Sequence, residues 1–488
     1  MTLPAKSGDV LLANGHSASA ILHAVLLDGV NAYSEDLSAA ALTEDPRSFR
    51  KTYSEALPCF EAARLASKNA HAIARHLARA IGQQLVWKDA DGERCLDEAL
   101  SESVPALPLE TRELNGQPGW TPTPVYRGER WEPHQLTELS AELVRRQIAT
   151  AAAGAALAWV ADNLLNSKML RLTGRKIVVF GANAEMAPTR SWLEAGAEVL
   201  WLDIAPPPDN WFEDAKLAGR LHWPSANIDL LKQPREALAT IVEFCAGDAA
   251  DLCLYAYAPG QARELRLTGA MNAIVNALPA ELISSVTMLV SPTTPTALGR
   301  TDREAARERL ESRPLWESGL AGLGLLGRGG GSISASRSEA TANAAATRTV
   351  VSIQGTSYQA AQYLGKVMMA ECWSSHGAPS SEQATPLRVS ANTAAITRTR
   401  SLNHPVFAAA FGGAAAFGVE TFTPRQSRNI NGLLALHDWH HPDRPVPGAV
   451  RVHGGIHTLP YPLEPALRIA AGFGFVRSPR LLRGLLRR

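Results

Sequence analysis

Residues 176–204 read KIVVFGANAEMAPTRSWLEAGAEVLWLDI: a strand, a tight turn, a helix and a second strand in succession. The run 177–180, IVVF, is apolar without interruption, as a parallel strand covered on both faces requires. It stops at Gly181, where a turn can begin. Pro188 suits the first turn of a helix, where its missing N–H costs nothing, and Gly196 ends that helix before the second strand at 197–202. Together these pieces make half of a nucleotide-binding unit. Asp203 stands at the tip of the second strand, 22 residues after Gly181, where a dinucleotide-binding fold places the acid that bonds a ribose 2′-hydroxyl. A carboxylate there repels a 2′-phosphate, so the stretch predicts NAD in preference to NADP.

The loop between strand and helix departs from the dinucleotide pattern. Where three glycines are expected the chain has Gly181, Glu185 and Ala187, and only the first lacks the Cβ that keeps backbone away from a pyrophosphate. Glu185 adds negative charge near the expected phosphates. The loop candidates are Gly181, Asn183, Glu185, Met186 and Ala187. A strand–helix–strand unit without cofactor stays open beside them, because the fold hosts many functions.

With 46% apolar and 19% charged residues, the 488-residue chain is globular and long enough for two or three domains. A formal net charge of +1 asks for no nucleic acid, and no aromatic-and-basic RNA motif occurs. Five scattered cysteines, an odd number without metal-ligand spacing, argue against a disulfide framework and for a reducing cytoplasm. The first residues, MTLPAKSGDVLLANG, lack the basic-then-apolar order of a signal peptide. No later run reaches the roughly 18 to 20 apolar residues of a spanning helix. A soluble protein is expected.

Four parts follow from the composition along the chain. Residues 1–130 read as a mainly helical N-terminal domain, closing on a Pro-, Gly- and Thr-rich stretch at 101–133 that suits a connector or lid. Residues 131–170 hold a connecting helix, Ala-rich at 149–158 and therefore able to approach another helix closely. Residues 171–400 continue the strand-helix alternation: a third strand leading to Asp229, a helix at 235–245, a fourth strand DLCLYAY at 251–257 ending in Ala258-Pro259-Gly260, a helix at 265–279, and a fifth strand, SSVTMLVSPTT, at 284–294. Such alternation predicts an α/β fold with a doubly wound, Rossmann-like parallel sheet and ligand at the carboxyl ends of its strands. Gly181, Asp203, Ala258, Gly260 and Ser291 all fall at such ends. An insertion at about 295–349 contains the glycine-dense run GLAGLGLLGRGGG at 319–331, read as a mobile lid rather than a phosphate loop. Residues 401–488 form a C-terminal extension.

The order of these pieces resembles the short-chain dehydrogenase/reductase superfamily over roughly residues 176–400. GAEVLWLDI looks like its second strand, Asp229 like its adenine-contacting acid, YAYAPG like a degraded Asn-Asn-Ala-Gly turn, LTGAMNAIVNALP like its fourth helix, and RVSANTAAITRTRSL like the strand and turn over the nicotinamide. The resemblance implies a tyrosine acid in the helix SYQAAQYLGKVMMAEC, assisted by a lysine and a hydroxyl. Tyr358 with Lys366, eight residues and roughly 12 Å further along the helix axis, is the first candidate pair, and Tyr363 with Lys366 competes. Ser291, Thr293 and Thr294 are the hydroxyl candidates. Three positions depart from the pattern: Gln362 stands where the lysine is usual, Arg266 where helix four carries an asparagine, and Ala394-Ala395 where Pro-Gly is usual.

The run HPVFAAAFGGAAAFGVETF at 404–422 is rich in small apolar residues and suits a subunit contact or an apolar substrate pocket. HDWHH at 437–441 and HGGIH at 453–457 read as surface histidines near turns, without a metal motif. The basic, leucine-interleaved C-terminus (Arg477, Arg480, Arg483, Arg487, Arg488) suits an anionic membrane, an acidic acyl carrier or a solvated tail. The expectation is a cytoplasmic, peripherally membrane-associated or free, homo-oligomeric oxidoreductase of lipid metabolism. It would pass hydride between NAD, less readily NADP, and a small hydrophobic carbonyl or enoyl substrate, an acyl thioester among the options. A catalytically degenerate Rossmann protein serving as nucleotide binder or scaffold is the alternative.

Overall fold

Residues 177–180 carry no polar side chain because both faces of their strand are covered. The computed structural model describes residues 8–40, 42–165, 169–258, 260, 262–334, 345–375, 389–392, 397–399, 405–441 and 450–481. Its main sheet has seven strands: β1 Leu109–Asn115, β2 Lys176–Phe180, β3 Glu198–Leu202, β4 Ala218–Pro224, β5 Ala250–Leu254, β6 Ile283–Leu289 and β7 Val389–Asn392. They lie in the order β7-β6-β5-β2-β3-β4-β1. Six are parallel, and β1 pairs antiparallel on the outer edge of β4. Counted from β2, the parallel strands run 3-2-1-4-5-6 across the sheet, an order compatible with a Rossmann-like fold. The chain leaves β2 towards one edge and returns at β5 towards the other. A crevice is thereby left open above the carboxyl ends of those two neighbours.

Side chains alternate along each strand, so each strand feeds two cores. Val178, Phe180, Leu200, Leu202, Leu252 and Leu254 point to one face, and Ile177, Val179, Val199, Trp201, Cys253 and Tyr255 to the other. Four helices matter for these faces: α1 Leu136–Arg145, α2 Ala151–Leu164, α3 Pro234–Cys245 and α4 Arg263–Ala277. The first face is covered by α3, α4 and by residues 9–100, whose Val10, Phe49, Phe60 and Trp87 share one continuous core with Val178 and Phe180. α1, α2 and the later helix Pro424–His440 cover the second.

Two expectations are corrected. The stretch 101–133 is not merely a connector: its residues 109–115 become edge strand β1, held by pairing with β4 along all seven residues. Most of its side chains are exposed, so no apolar alternation betrays it. The helix expected over about 134–165 is two helices. Gln147 takes φ +57 between them, Thr150 caps α2 by accepting the Ala153 N–H at 3.1 Å, and the Thr150 N–H donates to the Arg451 carbonyl at 2.8 Å. The close approach read from the Ala-rich stretch is present, since a Cβ on Gly154 would lie 2.4 Å from Val144 Cγ2.

The C-terminal part adds α5 Pro405–Gly413, α6 Pro424–His440 and α7 Leu463–Arg477. α5 and α7 pack through glycine: a Cβ on Gly413 would come within 1.8 Å of the Ala470 carbonyl oxygen, and one on Gly474 within 1.8 Å of the Ala409 carbonyl oxygen. Among the described residues no helix is long and apolar enough to cross a membrane.

Candidate functional site

The crevice above β2 and β5 has a volume of about 690 Å³, within the range of small-molecule sites. Gly181, Asn183, Asp203, Asp229 and Ala258 line it, joined by Arg263 at the start of α4. Gly181 is required by the chain itself: its φ is +76, and a Cβ would stand 2.4 Å from Ala256 Cα. Asp203 fastens the end of β3 to the neighbouring loop. One oxygen accepts the Asn183 N–H at 2.9 Å and the other the Ala205 N–H at 3.0 Å. Burial pushes its pKa up, against the pull of these N–H donors. Asp229 similarly accepts the Leu231 N–H at 3.0 Å.

Four loop candidates are not brought to the crevice wall. Met186 and Ala187 turn into the second core, near Trp192. The Glu185 carbonyl accepts from Arg428 at 3.2 Å. Gly260 takes φ +100 in a turn outside the lining. The reason is local: the helix after β2, Thr189–Glu194, starts eight residues past Gly181, and the intervening turns spend the loop on packing.

A second group of polar side chains gathers at the carboxyl end of β6. The Ser291 and Thr293 hydroxyls are 2.8 Å apart, and Thr293 donates to Gln354 Oε1 at 2.8 Å. Tyr358 joins them. Burial foremost, then the Glu264 charge, pushes its phenol well above the ordinary value, with hydrogen bonds to Ser291 and Thr293 opposing. Tyr257, which lines the crevice, lies close enough to act on the same phenol, so the two groups of residues share one rim. Thr294 is turned away from this cluster. It is fully buried and donates to Gln359 Oε1 at 3.4 Å, because the turn closed by the Thr294 N–H on the Ser291 carbonyl points alternate side chains inward.

Behind the hydroxyls lies a buried charged pair that the sequence alone did not disclose. Gln362 accepts the Ser291 N–H at 3.0 Å through Oε1 and donates from Nε2 to Glu264 Oε1 at 3.1 Å. Burial pushes Glu264 up to about 7 while the Lys366 charge pulls it back, and burial lowers Lys366 while Glu264 opposes. Gln362 thus bridges Ser291 and Glu264, and Lys366 acts on Glu264 through its charge without a direct bond. The helix is π-helical over Ala361–Met368, and Gln362 and Lys366, four residues apart, lie near one side of it. The Gly365 carbonyl accepts from Asn272 Nδ2 at 2.8 Å. Asn272, like Glu264 and unlike Arg266, faces the Tyr358 helix. Arg266 bonds the Val10 carbonyl and Asp9 at the N-terminal strand.

The competing pair Tyr363 and Lys366 is separated. Tyr363 is fully buried and donates to Glu61 at 2.7 Å, inside an ionic network in which Arg64 also bonds Glu61 and Glu371 at 2.7 Å.

Only the second histidine group departs from the surface reading, for in the first His440 is exposed and His437 and His441 are half-buried. His453 and His457 are buried and stacked with ring centroids 4.8 Å apart. His457 donates from Nε2 to the Pro292 carbonyl at 3.0 Å, bracing the turn between Ser291 and Thr293, and burial brings its pKa down to about 4. His437, His440 and His441 ring Trp159, the last at 4.3 Å. Among the described residues no group of three or more His, Cys, Asp or Glu is placed to hold a metal ion. The glycine-dense loop is pinned rather than free, its Arg328, Gly329 and Gly330 carbonyls accepting from Arg348. Pro259, Ala394, Ala395 and the basic tail at Arg483, Arg487 and Arg488 lie outside the described residues. Comparison of the chain with protein-family models and with curated proteins finds no match.

Proposed function

We propose that the chain is an NAD-dependent reductase of the short-chain dehydrogenase/reductase type, acting on a hydrophobic carbonyl or enoyl group with Tyr358 as proton donor. The observation that carries this reading is the meeting of Ser291, Thr293 and Tyr358 over the buried Glu264 and Lys366, on the rim that also bears Gly181 and Asp203. The crevice suits the adenosine half of a dinucleotide, with Asp203 and Asp229 on its wall and a backbone approach at Gly181 that no Cβ permits. The pyrophosphate half is served less conventionally, by the Asn183 and Ala184 turn without a long helix behind it.

When bound, the nicotinamide supplies the hydride. Ser291 and Thr293 hold the substrate oxygen, and Tyr358, kept neutral by burial, gives up its proton as that oxygen or the α-carbon gains electrons. The neutral phenol carries the proton that the reduced substrate takes up. Lys366 compensates Glu264 instead of lowering the phenol. Glu264, titrating near neutrality behind Gln362, is placed to return a proton.

The test is titration with NADH and NADPH followed by nicotinamide fluorescence, then turnover. NADH should bind more tightly than NADPH, and Tyr358→Phe should keep cofactor affinity while lowering kcat by about 100- to 10,000-fold. A second reading, a degenerate Rossmann protein, draws on one observation: both Asp203 oxygens already accept backbone N–H groups. Absence of binding at millimolar cofactor would establish it and remove the first.

A further inference from the structure

A cavity of about 70 Å³ lies between α5 and α7, and its position assigns the other end of the substrate. Its walls are Phe407, Ala410, Ala414, Ala466 and Ala470, closed below by Leu459. Thr293 and Gln354, bonded to each other at 2.8 Å, stand at its polar end, and they belong to the cluster around Tyr358. The alanines leave the space: the glycine contacts hold α5 and α7 at backbone distance, and one-carbon side chains do not fill what remains. Phe407 and Phe411, ring centroids 6.2 Å apart and half buried, form its outer wall.

We propose that this cavity binds the straight hydrocarbon chain of an acyl substrate, with the carbonyl end at Thr293. The identity of the reacting end rests on the hydride-transfer reading; the chain site does not. An occupant must be largely apolar along its length, because apart from Thr421 the wall is apolar except where it joins the hydroxyl cluster. At about 70 Å³ the space is small, so it holds only the first few carbons of a chain.

The experiment is isothermal titration of the whole chain, without nicotinamide, with N-acetylcysteamine thioesters of butyrate, hexanoate, octanoate and dodecanoate. Affinity should rise about fourfold per methylene, the equivalent of about 0.8 kcal/mol, and level off near hexanoate to octanoate. Ala410→Leu and Ala466→Leu, on opposite walls and each checked by thermal melting, should weaken octanoate binding at least tenfold and butyrate binding by less. Affinity independent of chain length, or unchanged in both folded variants, overturns the proposal. So does loss of self-association in both variants by sedimentation with affinity kept, which would give the cavity to a second copy. Chain-length dependence without any NADH binding keeps the chain site and defeats only the reductase; NADH turnover without chain-length dependence does the reverse.

Discussion

Glu264 is the residue whose charge the fold controls most closely. It is buried beside Lys366 and Gln362 and titrates near 7 instead of 4.5, with burial as the main cause. Folding therefore takes up a proton between those values. Stability from this group is greatest below about 4.5, falls as pH rises, and is lost by up to about 3 kcal/mol once pH passes about 7. In Glu264→Gln that decline should vanish, which urea denaturation at about pH 5 and pH 8 would detect. A variant with the same slope as the parent would mean that the carboxyl is not buried as described. This role of Glu264 was not legible beforehand. Glu264 is one of many acids near a helix start, and only the approach of Lys366 and Gln362 from another helix singles it out.

At the scale of elements, the contact between α4 and the Tyr358 helix decides the site geometry. A Cβ on Gly365 would sit 2.5 Å from Thr268 Cγ2, so the π-helical stretch approaches α4 as closely as glycine allows. Two effects compete in Gly365→Ala. Helix propensity gains about 1 kcal/mol, while overpacking costs about 1–3 kcal/mol. Thr268 is β-branched and stiff, so overpacking should win and the denaturation midpoint should fall. Removing the methyl in Gly365→Ala with Thr268→Ala should recover most of the loss, an interaction visible in a double-mutant cycle. The same contact explains why the Tyr358 and Lys366 spacing was ambiguous in sequence: α-helical arithmetic does not apply across a π-turn.

For the whole molecule, residues 9–100 are structural cover for one face of the sheet as well as a substructure of their own. Arg64 shows how tightly they are joined. It is buried and spans Glu61 in the N-terminal part and Glu371 after the π-helix, with Tyr363 on Glu61. Arg64→Met would leave two carboxylates without their cation and should cost about 3–5 kcal/mol, read as a lower melting temperature. A loss below about 1 kcal/mol would mean that the network opens to solvent.

The alternation of apolar runs with helical stretches determined the α/β class and the positions of strand ends, because burial of both faces forces unbroken apolar strands. It also put Gly181, Asp203, Asp229, Ser291 and Thr293 at strand ends, while only the resemblance singled out Tyr358. Only tertiary structure decided which of several equivalent residues meet. It sent Met186 and Ala187 into a core, Thr294 and Tyr363 away from the rim, and Glu264, Asn272 and His457 towards it. A strand's pattern records that it is covered. Which side chain from a distant segment completes a polar cluster depends on helix register and on close packing at single glycines, and neither leaves a period in the sequence.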